Sequence, residues 1–553
     1  MSSEERNQLL ADESSTDEFS SISSQEHRTL TWEFDEAVCK VGFGRYQFIL
    51  WFFLVLVAMS CGFNNMAMVF EGGNGGQICV IPQNRTSHDN SSLITYSAVD
   101  TCEYTKTTTN LANMSSHSQN FSCSHWIYNR EVYNSTIVTE WDLTCNKEYL
   151  VDLASTIYML GFFAGCIILG DVADRFGRRL MLLLSVLLSL GAGVGAAFSP
   201  VYVVFVILRF FVGFGVAGTR NSAYILAAEY GRPQDRATLG LISDMTYSCA
   251  YILTGLIFYL DPNWRHFQFY IGVYHVFYLT YFFFMPESPR WQLSKGKEKE
   301  ALKYFRTSAI ANGKHMPPAV TIVLPKQPPQ SHSTLDLVRT PNMRKIGLVM
   351  ALLWFIVSFV YFGMSYNVSN LEGSIYVNNA ILGAVELVAN GLCIFVVKFG
   401  RRPAIFTMFT IALAAMFAII FAQGSYWAVI ILAMIGKFII APCFSYIYIA
   451  TIELYPTQTR TLALGAGSSL ARLGGAVAPF IPSTVSYWDK LPYVIFSSVS
   501  LIGAIDALFL PETKNRPLPD SIERAEQVNI VKFHLPCDCS GPISVDPPLN
   551  EET

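Results

Sequence analysis

Long apolar stretches recur along the chain, separated by polar loops. Twelve of them approach the roughly 20 apolar residues that a hydrocarbon core of ~30 Å demands of a helix. They are 47–70, 149–170, 180–198, 201–225, 237–260, 267–285, 345–365, 374–397, 403–422, 425–450, 461–484 and 491–510. The pattern predicts an all-α membrane protein with twelve transmembrane helices. The first stretch lies well inside the chain and is too long for the apolar core of a signal peptide. Composition agrees, with 52% hydrophobic and 14% charged residues and a mean hydropathy of +0.34. A soluble domain carries about a quarter charged residues. The net charge of −4 leaves no electrostatic footprint for nucleic acid.

The loops orient the chain. Linkers after spans 2, 4, 6, 8 and 10 carry Arg175, Arg178, Arg179, Arg232, Arg236, Arg290, Arg339, Arg344, Lys398, Arg401, Arg402 and Arg460. Linkers after spans 3, 7 and 9 carry no Lys or Arg. Positive charge stays cytoplasmic, so both termini face the cytosol and loop 71–148 faces outward. That loop holds five Asn-x-Ser/Thr sequons, at Asn84, Asn90, Asn113, Asn120 and Asn134, which read as glycosylation sites of an ectodomain. It also holds Cys79, Cys102, Cys123 and Cys145. An even number in an oxidising compartment reads as two disulfides, with three connectivities open. Cys166, Cys249, Cys393 and Cys443 fall inside spans and read as small apolar residues. Cys537 and Cys539, near His534, suit S-acylation better than a metal site, and no metal site is expected.

The expected organisation is a cytosolic tail (1–45), a first six-helix half (46–285) and a central cytosolic linker (286–344). A second six-helix half (345–510) and a cytosolic tail (511–553) follow. Residues 1–30 are Ser- and acid-rich and read as disordered. Within them Glu5-Arg6-Asn7-Gln8-Leu9-Leu10 has the form of an acidic dileucine signal that sorting adaptors bind. It keeps an endosomal or lysosomal membrane open beside the plasma membrane. In the linker, 296–312 reads as an amphipathic helix and 316–329 is Pro-rich.

Three strings occur twice at nearly one offset. Phe176-Gly177-Arg178-Arg179 returns 223 residues later as Phe399-Gly400-Arg401-Arg402. Glu229 and Arg236 return 224 later as Glu453 and Arg460, and Pro286-Glu287-Ser288 returns 225 later as Pro511-Glu512-Thr513. A common offset across unrelated strings reads as a tandem duplication, a recurrent architecture of secondary transporters with the substrate site between repeats.

The loop Gly170-Asp171-Val172-Ala173-Asp174-Arg175-Phe176-Gly177-Arg178-Arg179 resembles the signature loop of the major facilitator superfamily. Further strings narrow the resemblance. They are Thr139-Glu140-Trp141-Asp142-Leu143-Thr144-Cys145, Pro286-Glu287-Ser288-Pro289-Arg290-Trp291, Asp336-Leu337-Val338-Arg339-Thr340-Pro341, Gly436-Lys437-Phe438, Glu453-Leu454-Tyr455-Pro456-Thr457 and Leu510-Pro511-Glu512-Thr513. In order and spacing they resemble the organic cation, carnitine and organic anion transporter family from about Phe34 to Glu526. The resemblance implies a twelve-helix facilitator fold and alternating access for small organic ions. It also implies a gate in which Asp174, Arg175, Arg178, Arg179, Glu229 and Arg236, with Arg401, Arg402, Glu453 and Arg460, hold helix ends together in one state. No Walker A string is present around Lys297 or Lys314, which argues against ATP-driven transport. No catalytic constellation is apparent, so an enzyme is not expected.

Charges inside spans mark pathways or internal pairs. Arg209, Arg220, Asp244, Glu386, Lys437 and Arg472 lie well inside, and Asp152 and Asp506 lie nearer span ends. Glu386 and Arg472 sit at mid-depth, each readable as pathway-lining or as half of a buried pair, with Lys437 a candidate partner. Trp354, Tyr361, Phe362, Tyr247, Tyr251, Phe444, Tyr446 and Tyr448 surround them, and aromatic faces attract organic cations. The resemblance places Trp354, Tyr361 and Glu386 on the cavity wall. Strict organic-cation members of that family carry an Asp where Arg472 stands, whereas carnitine and anion members carry an Arg. An Arg fork matches a carboxylate. A ligand with both an ammonium and a carboxylate suits both signs, so the expected substrate is a cation or carnitine-like zwitterion. The candidate substrate-binding set is Trp354, Tyr361, Glu386, Arg472, Asp244, Arg220 and Lys437. The alternatives are an organic anion exchanger and a transporter-like receptor or scaffold. No cofactor is expected, and coupling to Na⁺ or H⁺ is left open.

Overall fold

A chain that crosses a bilayer has no water to satisfy its backbone, so it closes its hydrogen bonds within helices. The structure, a computed structural model, describes residues 30–82, 85–86, 92–110, 116–318, 320–324, 337, 339–396, 400–422, 424–456, 459–513 and 526. The sorting string at Glu5–Leu10, the sequons Asn84, Asn90 and Asn113, and the Cys537/Cys539 pair lie outside these residues.

The spans of the first half are α1 (Arg45–Glu71), α2 (Tyr149–Phe176), α3 (Arg178–Ala197), α4 (Tyr202–Tyr230), α5 (Arg236–Leu260) and α6, which starts as Trp264–Val273. The second half has α7 (Pro341–Tyr366), α8 (Ile375–Val396), α9 (Arg401–Ala422), α10 (Tyr426–Leu454), α11 (Arg460–Val477) and α12 (Leu491–Ala507). Among the described residues, nine helices are long and apolar enough to cross a membrane. The shortfall lies in α6, α11 and α12.

Two of those spans depart from the expected limits for local reasons. Beyond Val273, α6 continues as two short segments, His275–Leu279 and Tyr281–Phe284. The His275 ring reaches back to the Ile271 and Gly272 carbonyls, both at 3.1 Å, and meets Ser60 Oγ at 2.6 Å. A side chain inserted into the ladder is a recognised cause of a break. In α11 the helix stops at Val477 rather than near 484, because Pro479 and Pro482 cannot continue it, and short 3₁₀ turns follow.

Small residues let neighbouring spans approach. A Cβ on Gly213 of α4 would lie 2.1 Å from the Tyr158 carbonyl of α2, and one on Gly161 would lie 2.1 Å from the Phe210 carbonyl. The halves meet where α5 packs on α8 and α2 on α11. Hydrogen bonds cross this seam on its outer side. Thr156 donates to the Ala476 carbonyl (2.7 Å), Ser483 to Asp152 (2.5 Å) and Tyr376 to the Val132 carbonyl (2.8 Å).

An all-α description is incomplete. The outer loop contains a four-stranded antiparallel sheet in which Ser92–Ala98, Glu103–Asn110 and Ser116–Ser122 form a meander, edged by Arg85–Thr86. The Thr- and Tyr-rich run at 103–110 is a strand composition. Cys79–Cys123 and Cys102–Cys145 staple this loop, which selects one of the three connectivities. Asn120 and Asn134 are exposed on it. On the cytosolic side, Leu30–Glu33 pairs in parallel with Val320–Val323 of the linker. A short amphipathic helix, Phe34–Val41, then sets Phe34 edge-on against Phe305 of the linker helix Glu298–Ala311. That linker helix falls where the sequence pattern put one.

Non-reducing digestion of the purified chain followed by mass spectrometry is expected to recover the peptide pairs Cys79–Cys123 and Cys102–Cys145. Recovery of either other pairing would contradict the loop's strand register.

Candidate functional site

The repeated strings build two copies of one device. In the first, the tight turn at Gly177 (φ +112°) ends α2 and starts α3. A helix start leaves amide donors unsatisfied, and the Glu287 carboxylate accepts from the Arg178 amide at 3.0 Å and the Arg179 amide at 3.1 Å. The second copy repeats this, with Glu512 accepting from the Arg401 amide at 2.9 Å and the Arg402 amide at 3.2 Å. The repeated Pro-Glu string is therefore the cap of the helix that the repeated arginines begin.

The arginine side chains reach the acids. Arg178 pairs with Asp174 at 2.8 Å and approaches Glu229 at 3.8 Å, and Arg401 pairs with Glu453 at 2.7 Å. Arg179 donates to the Phe282 carbonyl, and Arg175 is exposed. Arg236 does not meet Glu229, its repeat partner in sequence. It pairs with Asp35 of the N-terminal amphipathic helix at 2.8 Å and donates to the Ala228 carbonyl. Arg460 donates to the Tyr455 carbonyl at 3.4 Å. Trp291 of the linker donates to the Asp174 carbonyl at 3.0 Å, which fastens the linker to the gate loop.

At mid-depth the charges pair in a specific way. Glu386 of α8 is buried, with the Lys437 ammonium 3.0 Å from its Oε2. Lys437 aims its hydrogen bond at Ser365 Oγ (2.6 Å) and sits 3.2 Å from the Tyr361 ring centroid. Glu386 Oε1 accepts from Tyr361 (2.7 Å) and Ser248 (3.2 Å). The site of the cation that Tyr361 was expected to receive is filled by Lys437. Arg220 and Asp244 form a second pair at 3.1 Å. Trp354 is buried, donates to Thr451 at 3.2 Å and stacks edge-on with Tyr448 at 4.5 Å.

Arg472 stands apart from Glu386. Its guanidinium lies 4.3 Å from the Phe162 ring centroid, and its buried Nε has no hydrogen-bond partner. Phe162 and Glu386 are equivalent positions of the duplication, as are Ser248 and Arg472, each 224 apart. The two contacts Arg472–Phe162 and Ser248–Glu386 are thus one pseudo-symmetric contact used twice with different chemistry.

A hydrogen-bond chain that the sequence did not reveal joins the halves. Tyr158 donates to Asn65 Oδ1 (2.8 Å), and Asn65 Nδ2 donates to the Tyr247 hydroxyl (2.7 Å). Tyr247 and Tyr251 meet at 2.7 Å, and Tyr251 and Tyr361 at 3.2 Å. Because the carboxylate at its end only accepts, each hydroxyl donates toward Glu386. Asn65 and Tyr158 carried no pattern that set them apart from other polar residues in spans.

Two six-helix halves, matched arginine–acid clusters and charges paired inside the spans define a carrier of the major facilitator type. Residues 93–524 match the sugar (and other) transporter family. The chain is 32% identical to an organic cation transporter protein of Drosophila melanogaster, spanning 89% of this chain and 94% of that one. It is 32% identical to organic cation/carnitine transporter 2 of Rattus norvegicus, spanning 90% and 95%. It is 35% identical to organic anion transporter 3 of Sus scrofa, spanning 72% and 76%. An inward-open structure of the xylose transporter XylE from E. coli superposes with a TM-score of 0.58 at 16% identity, covering 86% of this chain and 98% of that one. The chain belongs to the organic cation, carnitine and organic anion transporter family of the major facilitator superfamily. It is a multi-pass membrane protein of a family of transporters, not enzymes.

Breaking a buried pair by removing one partner costs about 3–5 kcal/mol. Glu386→Gln or Lys437→Met alone is expected to lower thermal stability in detergent by that order, and the double variant to recover most of it. Equal, additive losses would mean that the two residues are not coupled. Glu287→Ala and Glu512→Ala are each expected to lose about 1–2 kcal/mol, as removal of a helix cap does, read in the same assay.

Proposed function

We propose that this chain carries small organic ions bearing a carboxylate, carnitine-like zwitterions foremost, across the plasma membrane by alternating access. The observation that carries the reading is the state of Arg472. It lies at the interface of the halves, stacks on Phe162 and has no hydrogen bond or ion pair among the described residues. Lys437 and Arg220, by contrast, each face a carboxylate. A substrate carboxylate would complete the fork of Arg472. Asp244, whose side chain is 36% exposed, and the cluster of Trp354, Phe444 and Tyr448 supply an acidic and aromatic surface for an ammonium group. The relatives named for organic cations and carnitine support this reading.

Organic anions are the second reading. Lys437 neutralises Glu386, and Arg472 has no acidic partner among the described residues. The relative named as an organic anion transporter points the same way.

Uptake of labelled carnitine, tetraethylammonium and p-aminohippurate into cells that express the chain separates these readings. Carnitine uptake above the other two is expected. Preferential p-aminohippurate uptake would favour the anion reading. With surface expression verified, no uptake of any of the three would sink both and leave a receptor or scaffold. Truncating one partner of a buried charge pair costs 2 kcal/mol or more, so Arg472→Ala is expected to raise the KM for carnitine about 30-fold or more. Tetraethylammonium, which has no carboxylate, should be affected much less.

A further inference from the structure

Glu71 is the last residue of α1, at its outer end, and is fully buried. Neither carboxylate oxygen has a hydrogen-bond partner among the described residues. Such a carboxylate opposes the negative end of its helix dipole, and burying it without hydrogen bonds is costly. Arg209 of α4, itself 1% exposed, reaches the same helix α1 about two turns from Glu71. Arg209 donates once, from Nη2 to the Asn64 carbonyl at 3.3 Å, while Nε and Nη1 have no acceptor. Its guanidinium lies 4.8 Å from the ring centroid of Tyr158, where the hydrogen-bond chain to Glu386 begins.

We propose that Glu71 is the coupling-ion site of this carrier and that the ion is a proton. The inference rests on the carrier reading above. A proton neutralises the carboxylate and leaves Arg209 in place, whereas a metal cation at the same carboxylate would meet the arginine's repulsion. Among the titratable groups, Tyr158 of α2 lies under the Arg209 guanidinium, and Tyr366 of α7 is buried against Phe362. Tyr133 of the outer loop packs against Gly73, and Asp152 and His275 have their own partners in Ser483 and Ser60. In the outward-facing state Glu71 takes a proton from outside, forming one O–H bond. In the inward-facing state that bond breaks and the proton leaves to the cytosol, so one charge crosses per cycle. Loss of the proton leaves a carboxylate that draws Arg209 from the Tyr158 ring and perturbs the chain through Asn65, Tyr247, Tyr251 and Tyr361. The Asn65 amide does not titrate, so the chain transmits polarisation to Glu386 and Lys437 rather than the proton itself.

Two measurements on the full chain test this. Infrared titration of the purified protein is expected to show a protonated-carboxyl band growing as pH falls, absent in Glu71→Gln and shifted in Glu71→Asp. In proteoliposomes at clamped potential, an inward pH gradient is expected to raise labelled-carnitine accumulation up to about tenfold per pH unit for one proton. Glu71→Gln should lose that response and Glu71→Asp should keep it. An infrared titration of Glu71→Gln that superimposes on the wild type overturns the proposal. So does wild-type accumulation that follows a sodium gradient and ignores pH. If the wild type moves no carnitine, the carnitine reading fails, and the infrared titration still decides whether Glu71 takes the proton.

Discussion

A bilayer core offers no water to a charge, and the ion pair between Glu386 and Lys437 answers that constraint at the centre of the molecule. Each residue alone would be an uncompensated charge between helices. Together they let α8 and α10 carry charge through the second half, and Tyr361 of α7 closes the arrangement by donating to the acid while covering the ammonium. The first half joins through Ser248 and through the tyrosine chain from Tyr158. The midplane is thereby one connected polar unit spanning both halves. Arg472 lies outside these pairs and has no acidic partner among the described residues.

The cytosolic face follows a different logic. There the two halves keep the same parts: arginines opening a helix, an acid near the end of the following helix, and a Pro-Glu carboxylate capping the new helix start. These contacts run within one half, so each half can build its copy without the other. The N-terminal segment departs from this symmetry. By taking Arg236 through Asp35 and pairing a strand with the linker, it ties the tail, the linker and the first half's arginine cluster into one unit.

The features legible in the sequence are those set by local composition or simple spacing. The spans are runs of apolar residues, the linker helix is an amphipathic period, and the outer cysteines come as an even set. Features the sequence did not show depend on side chains that reach the backbone or on partners remote along the chain. His275 interrupts α6 by reaching the Ile271 and Gly272 carbonyls. The Thr-rich run at 103–110 becomes a strand because neighbouring strands and two disulfides hold it in a sheet.

By itself the sequence determined the class of protein, its duplication and the residue types inside the spans. Hydrophobic length, loop charge and a repeated offset depend only on order along the chain. Only the tertiary structure decided which charges are partners. It gave Glu386 to Lys437, Asp244 to Arg220 and Arg236 to Asp35, left Arg472 on Phe162, and buried Glu71 at the outer end of α1. Those pairings depend on distances of a few ångströms between helices remote in sequence. At low dielectric, such distances separate a neutralised charge from one still free to bind.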